Sequence, residues 1–163
     1  MTRIVRISKA LVRTLAALAA ALVVTLGIAT APASAGPIEW QATGGWYTDS
    51  DDVFLGAGAR FGLATITIIP NAEYVFVNSG TLFTLNVDGT LNVLPLGVAT
   101  GYVGAGMGMV MENPDVGSNN TDSAFNLIAG AGLNAIKFKP FGQFKLVMKS
   151  GDDPLVLAFG IRF

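Results

Sequence analysis

A segment in which apolar residues alternate with small or polar ones settles as a strand with one greasy face, and this sequence repeats that pattern along most of its length. In Val53 to Leu63, written VFLGAGARFGL, one face holds Val53, Leu55, Ala57, Ala59, Phe61 and Leu63. The other holds Phe54, Gly56, Gly58, Arg60 and Gly62, mostly small or charged. The pattern recurs, with varying clarity, in eight segments: 38-48, 53-63, 65-77, 81-94, 99-111, 123-135, 137-149 and 154-163. Each has a length suited to a membrane-crossing strand. After residue 35 no stretch places its apolar residues at helical spacing.

The first 35 residues are of another kind. Arg3, Arg6, Lys9 and Arg13 precede an apolar run from Leu15 to Ile28, and Ala33-Ser34-Ala35 offers the small residues a signal peptidase selects. The run is shorter than the roughly 20 residues a spanning helix needs. A cleavable secretory signal over 1-35 and a mature domain over 36-163 are therefore expected. Four of the ten basic residues belong to that signal, which leaves the mature chain six bases against eleven acids, net −5. A nucleic-acid ligand would call for a basic face, so none is expected. The sequence has no cysteine and no histidine. Disulfides are thereby excluded, as are the commonest general base and the commonest metal ligand.

The connections fall into two sets. Those after the first, third, fifth and seventh segments carry the acids and turn formers: 48-52, Asn78-Ser79-Gly80, 112-122 and 150-153. Those after the second, fourth and sixth are short and nearly free of acids. That parity describes an up-and-down barrel with more variable loops at one rim and short turns at the other. Alternation alone leaves open which face is inside, because a soluble lipid-binding barrel alternates too. Gly56, Gly58, Gly104, Gly106, Gly108, Gly130, Gly132 and Gly160 all share the polar face. Exposed strand glycines weaken a sheet, whereas inside a narrow eight-stranded wall they make room. Charged residues are only 13% of the chain, so an outward polar face would be poorly suited to water. Within hydrocarbon, a chain made of strands must close on itself to satisfy its backbone.

The segments VFLGAGARFGL (53-63), NAEYVF (71-76), GYVGAGMGM (101-109) and LVLAFGIRF (155-163) resemble the small eight-stranded outer-membrane β-barrels of Gram-negative bacteria, the opacity-type and OmpA-type group. The resemblance spans essentially all of 36-163 and implies an all-β, antiparallel, up-and-down eight-stranded transmembrane barrel, exported by the Sec route to the outer membrane. It further implies that Phe159, Ile161 and Phe163 form the segment engaged by the barrel-assembly machinery. The expected partners are outer-membrane lipid and lipopolysaccharide, with the protein a monomer.

Carrying the alternation through the chain puts Trp40, Leu55, Tyr74, Met107, Phe144 and their face-mates against lipid. The inward face receives Glu39, Arg60, Glu73, Thr84, Asn86, Asp88, Asn92, Asn126, Gln143, Lys145 and Arg162. Three acids there meet three bases, the composition of a self-neutralising network, and buried charge persists when it is paired. A plugged lumen is expected, with an ion path as the alternative. In the outer loops, Asp49, Asp51, Asp52, Asp115, Asp152 and Asp153 are candidate contacts. Asp49, Asp51, Asp52, Asp152 and Asp153 fit a solvated acidic rim better than a calcium loop, whose spacing they do not follow. The glycine run 101-108 lies within an alternating strand with no helix after it, which disfavours a phosphate loop. Neither a metal nor a cofactor is expected. The function implied is a non-enzymatic barrel with a structural or surface-interaction role. Alternatives are a lipid-modifying barrel enzyme, for which no nucleophile cluster is evident, a narrow channel, and a soluble periplasmic lipid-binding barrel.

Overall fold

The structure, a computed structural model, describes residues 38–163 except 64, 116, 135, 136 and 152; the side chains of residues 95 and 96 are likewise outside the description. The expected signal, 1-35, lies outside the described residues. Eight strands follow one another: β1 (Glu39–Tyr47), β2 (Val53–Leu63), β3 (Ile66–Phe76), β4 (Thr81–Leu96), β5 (Ala99–Asn113), β6 (Asn120–Leu133), β7 (Lys139–Met148) and β8 (Leu155–Arg162). Each is hydrogen-bonded antiparallel to its neighbour, and β1 also pairs with β8 from Gln41↔Arg162 to Tyr47↔Val156, so the sheet is a closed barrel. Closure removes both sheet edges, which hydrocarbon would not tolerate.

The polarity of this barrel is inverted relative to a soluble one. Met107 is 69% exposed, Leu55 62% and Trp40 59%, whereas Lys145 is 1% exposed and Asn126 is fully buried. In water such a wall would be one large sticky patch; in a bilayer it matches its solvent. Trp46, Tyr74, Phe76 and Phe83 lie towards the rim formed by the β1–β2, β3–β4, β5–β6 and β7–β8 connections, called here the outer rim. Trp40, Phe61 and Phe163 lie towards the opposite, inner rim, where both ends of the barrel chain sit. Two aromatic girdles at opposite depths are the arrangement expected at lipid headgroups. Between them, outward Ala42, Ala57 and Ala72 are in register across three strands and leave a shallow apolar depression in the wall.

The inward glycines make room for particular neighbours. A Cβ on Gly58 would come within 2.9 Å of the Asn71 side chain, and one on Gly130 within 2.6 Å of the Tyr102 ring. At Gly160 it would lie 2.6 Å from the Phe141 ring. The lumen is therefore filled by large polar and aromatic side chains on some strands because the adjacent strands carry none.

Beyond shifts of a residue or two at strand ends, three features differ from the sequence expectation. The loop expected over 112-122 shrinks to 114–119, because Glu112↔Asn120 and Thr81↔Asn113 continue the ladders. Polar side chains signal water, and a backbone ladder can extend into water without penalty. At the inner rim, β6 ends at Leu133 and β7 begins only at Lys139, opposite Arg162, the last residue of β8. Asn134 ties this connection to its neighbour, donating from its backbone N–H to Val98 O at 2.8 Å and from Nδ2 to Thr100 Oγ1 at 2.6 Å. Third, β4 slips register between Asn92 and Leu94. This irregularity accompanies an exposed Asn92, which strict alternation had placed inside, and a buried Leu91.

Candidate functional site

The lumen is built in three layers along the barrel axis. At the inner rim, Glu39 on β1 faces Arg60 on β2 in the pairing Glu39↔Arg60. Glu39 accepts an ion pair from Lys139 on β7 and has Arg60 Nε at 3.7 Å. Arg162 on β8 packs its guanidinium 4.5 Å from the Phe141 ring centroid and 5.2 Å from that of Tyr102. The Tyr102 hydroxyl in turn donates to Gln143 Oε1 at 3.0 Å. Arg162, expected to meet the inward acids, lies within electrostatic reach of Glu39 and packs against these two rings, with its Nε and Nη2 buried and without a protein acceptor.

The middle layer is a continuous hydrogen-bonded chain. Asp88 accepts from Asn71 Nδ2 at 2.8 Å and from Asn126 Nδ2 at 3.1 Å. Asn126 also donates to Asn86 Oδ1 at 2.9 Å, and Asn86 donates to Asn71 Oδ1 and to Thr84 Oγ1, both at 3.1 Å. The Thr84 hydroxyl donates to Glu73 Oε2 at 3.1 Å, and Glu73 pairs with Lys145. Every charge here has a partner of opposite sign or an amide donor, the condition under which buried charge is tolerated.

Above it the lumen is apolar. Phe54, Val75, Val110, Val147 and Val156 close the barrel, with Tyr47 and Leu82 packed on top. The inward face, on which the alternation had already placed Phe54, thus carries an apolar layer as well as the polar network. Phe54 and Val75 share the inward parity of Arg60 and Glu73 on β2 and β3, but parity alone does not show that such residues gather into one layer.

The six sequence-nominated lumen residues, Glu39, Arg60, Glu73, Asp88, Lys145 and Arg162, all point inward, in the two lower layers. Lys139, Asn71 and Tyr102 join them. Lys139 shares the inward parity of Lys145 on β7, the signal by which it could have been found. Of the loop acids, Asp49, Asp52 and Asp153 line a cavity at the outer mouth. Asp51 occupies the β1–β2 turn with φ 59°, and Asp115 accepts from the backbone N–H of Gly80 at 3.0 Å, tying two outer loops together. Asp152 lies outside the described residues. Phe159, Ile161 and Phe163 all point outward, and Phe163 exchanges two backbone hydrogen bonds of 2.9 Å with Trp40. Among the described residues no group of three acids is placed to hold a metal ion.

Neither a family model nor a curated protein matches the sequence. Solved structures do match it in fold. The N-terminal β-barrel domain of Pseudomonas aeruginosa OprF superposes with a TM-score of 0.64 at 16% identity, covering 77% of this chain and 96% of that one. Neisserial surface protein A gives 0.66 at 10% identity, covering 79% and 97%. A barrel from the de novo design of transmembrane β-barrels gives 0.52 at 16% identity, covering 80% and 98%. A designed chain among them shows that what is shared is an architecture, that of the eight-stranded transmembrane barrel.

Proposed function

We propose that this chain is a non-enzymatic barrel of the Gram-negative outer membrane, with a plugged lumen and a structural or surface-interaction role. The observation that carries the reading is the inverted polarity: an apolar belt faces outward while Glu73, Lys145, Asp88 and Asn126 are buried in the lumen. The plug follows from the stacked layers, since an ion crossing the barrel must break the Glu73–Lys145 pair and then pass Phe54, Val75 and Val156. A sealed lumen also argues against catalysis, because no substrate reaches the buried carboxylates. Outer-membrane lipid covers the belt, lipopolysaccharide surrounds the outer rim, and closure of the sheet lets a single copy stand alone.

Two measurements test this. The protein should fractionate with the outer membrane and migrate differently on gels before and after boiling; a wholly soluble, freely digested product overturns the location. Purified, refolded protein in planar bilayers should give no steady open-channel steps, and their appearance overturns the plugged reading.

The same reading makes Phe159, Ile161 and Phe163 the segment that the barrel-assembly machinery engages. Deleting Phe163 removes its two bonds to Trp40 and an exposed ring that packs no core, a loss of about 1–2 kcal/mol from hydrogen bonds. The amount of barrel assembled in cells should fall much further than the urea midpoint of refolded protein; equal losses in both would sink the assignment.

A further inference from the structure

The apolar layer that closes the lumen does not fill it to the top. Above it, at the outer mouth, lies a cavity of about 490 Å³. Its floor and walls are Val75, Leu82, Val110 and Val147, with Tyr47 at one side; its upper edge carries Asp49, Asp52 and Asp153, and Lys149 also lines it. Its size falls within the range of small-molecule sites, roughly 300–1,000 Å³, and it combines an apolar interior with a few convergent polar groups, as such sites do.

The charges around it are of one sign. Among the described residues of the outer connections, Asp49, Asp51, Asp52, Asp115 and Asp153 stand at this rim against one base, Lys149 at the end of β7. That base is already engaged: Lys149 Nζ pairs with Glu112 Oε1 at 3.1 Å. The Asp52 and Asp153 carboxylates receive no hydrogen bond or ion pair from another described residue. The inner rim and its layer hold the opposite excess, with Arg60, Lys137, Lys139 and Arg162 against Glu39. The barrel is thus polarised along its axis, and its outer mouth is the end that attracts cations.

We propose that this mouth is a binding cup for a small amphipathic ammonium ion, its apolar body on the valine floor and its charged head between Tyr47 and the Asp52 and Asp153 carboxylates. The other ligand classes each leave part of the cup unused. A metal ion gains nothing from four aliphatic side chains, an anion is repelled by the rim, and a neutral apolar molecule gains nothing from the carboxylates. An ammonium ion with an organic body uses both, and an aromatic face beside carboxylates is the recurring surround for such heads. The cup is defined by the barrel's own mouth, so the proposal does not depend on which membrane houses the barrel or on what the protein does there.

The test uses the protein in dodecyl maltoside micelles, which carry neither charge nor ammonium groups, with the methyl signals of Val75, Leu82, Val110 and Val147 read by NMR. Benzyltrimethylammonium is the probe, with neutral benzyl alcohol and anionic phenylacetate compared at the same concentrations. The probe should shift those four methyls saturably, with an affinity at least tenfold above benzyl alcohol, and phenylacetate should not shift them. An Asp52→Asn/Asp153→Asn double variant, altered only at the rim, should keep the spectrum of the folded barrel and bind at least fivefold more weakly. Val110→Phe, which fills the cup, should abolish binding. Unmoved cup methyls, equal affinities for the three probes, or an affinity indifferent to the two aspartates would overturn the proposal.

Discussion

Lys145→Met should cost the barrel about 3–5 kcal/mol, the range for removing one partner of a buried ion pair. Lys145 and Glu73 have side chains only 2% and 6% exposed, and among the described residues each is the other's one charged partner within hydrogen-bonding reach. Without the ammonium, Glu73 keeps one neutral donor, the Thr84 hydroxyl, for a full negative charge sealed below Phe54. That charge is then buried without a counter-ion, which is costly. Glu73→Gln on the Lys145→Met background should recover most of the loss, since a neutral amide keeps the Thr84 contact and removes the stranded charge. Urea titration of the refolded protein measures both, because the two tryptophans, Trp40 and Trp46, face outward and report loss of the lipid or micelle environment. A double variant no more stable than the single one would show that the loss came from packing against Phe54 and not from charge. Cavity formation alone does not account for so large an effect, as methionine nearly matches the lysine stem in volume.

Why the wall was legible in the sequence and the lumen only in part follows from what each obeys. Lipid demands one property, apolarity, at every outward position, so period-two patterning recovered all eight strands and their order, with β2 at its observed limits of Val53 and Leu63. The lumen demands mutual fit, which is pairwise and spread over distant residues. Asn71, Asn86 and Asn126 come from β3, β4 and β6, and no spacing along the chain announces that they share one carboxylate-centred chain. Arg162 is the clearest case: its charge suggested an acid partner, and the structure sets beside that pull from Glu39 two rings from β5 and β7 that no spacing announced. The cup was hidden for a similar reason. Tyr47, Val75, Leu82, Val110 and Val147 sit on five strands, and each looks like an isolated exception to an inward polar face until closure brings them together.

The glycines carry the other large prediction, and here the sequence argument and the structure meet. Gly106→Ala should destabilise the barrel by about 3 kcal/mol, the upper part of the range for overpacking. Gly106 faces the lumen opposite Asp88, and an added Cβ would strike the Asp88 carboxylate while lying 2.7 Å from Val87 O and 2.8 Å from Asp88 Cα. Two of those neighbours are backbone atoms of a strand fixed by its ladders. The third can yield only by giving up hydrogen bonds from Asn71 and Asn126. Gly89 provides the matched control on the adjoining strand. It faces outward, and its added Cβ would find only Ala105 O at 3.6 Å and Ile68 Cδ1 at 3.9 Å, both ordinary contacts. Gly89→Ala should therefore leave stability unchanged or raise it by about 0.4–1 kcal/mol through a less flexible unfolded chain. The same substitution should thus destabilise on the inward face and not on the outward face of one strand pair, as read by urea midpoint and by the fraction of heat-modifiable barrel after refolding. Equal effects at Gly106 and Gly89 would mean that these glycines serve flexibility during assembly, and that the lumen does not need the space they leave.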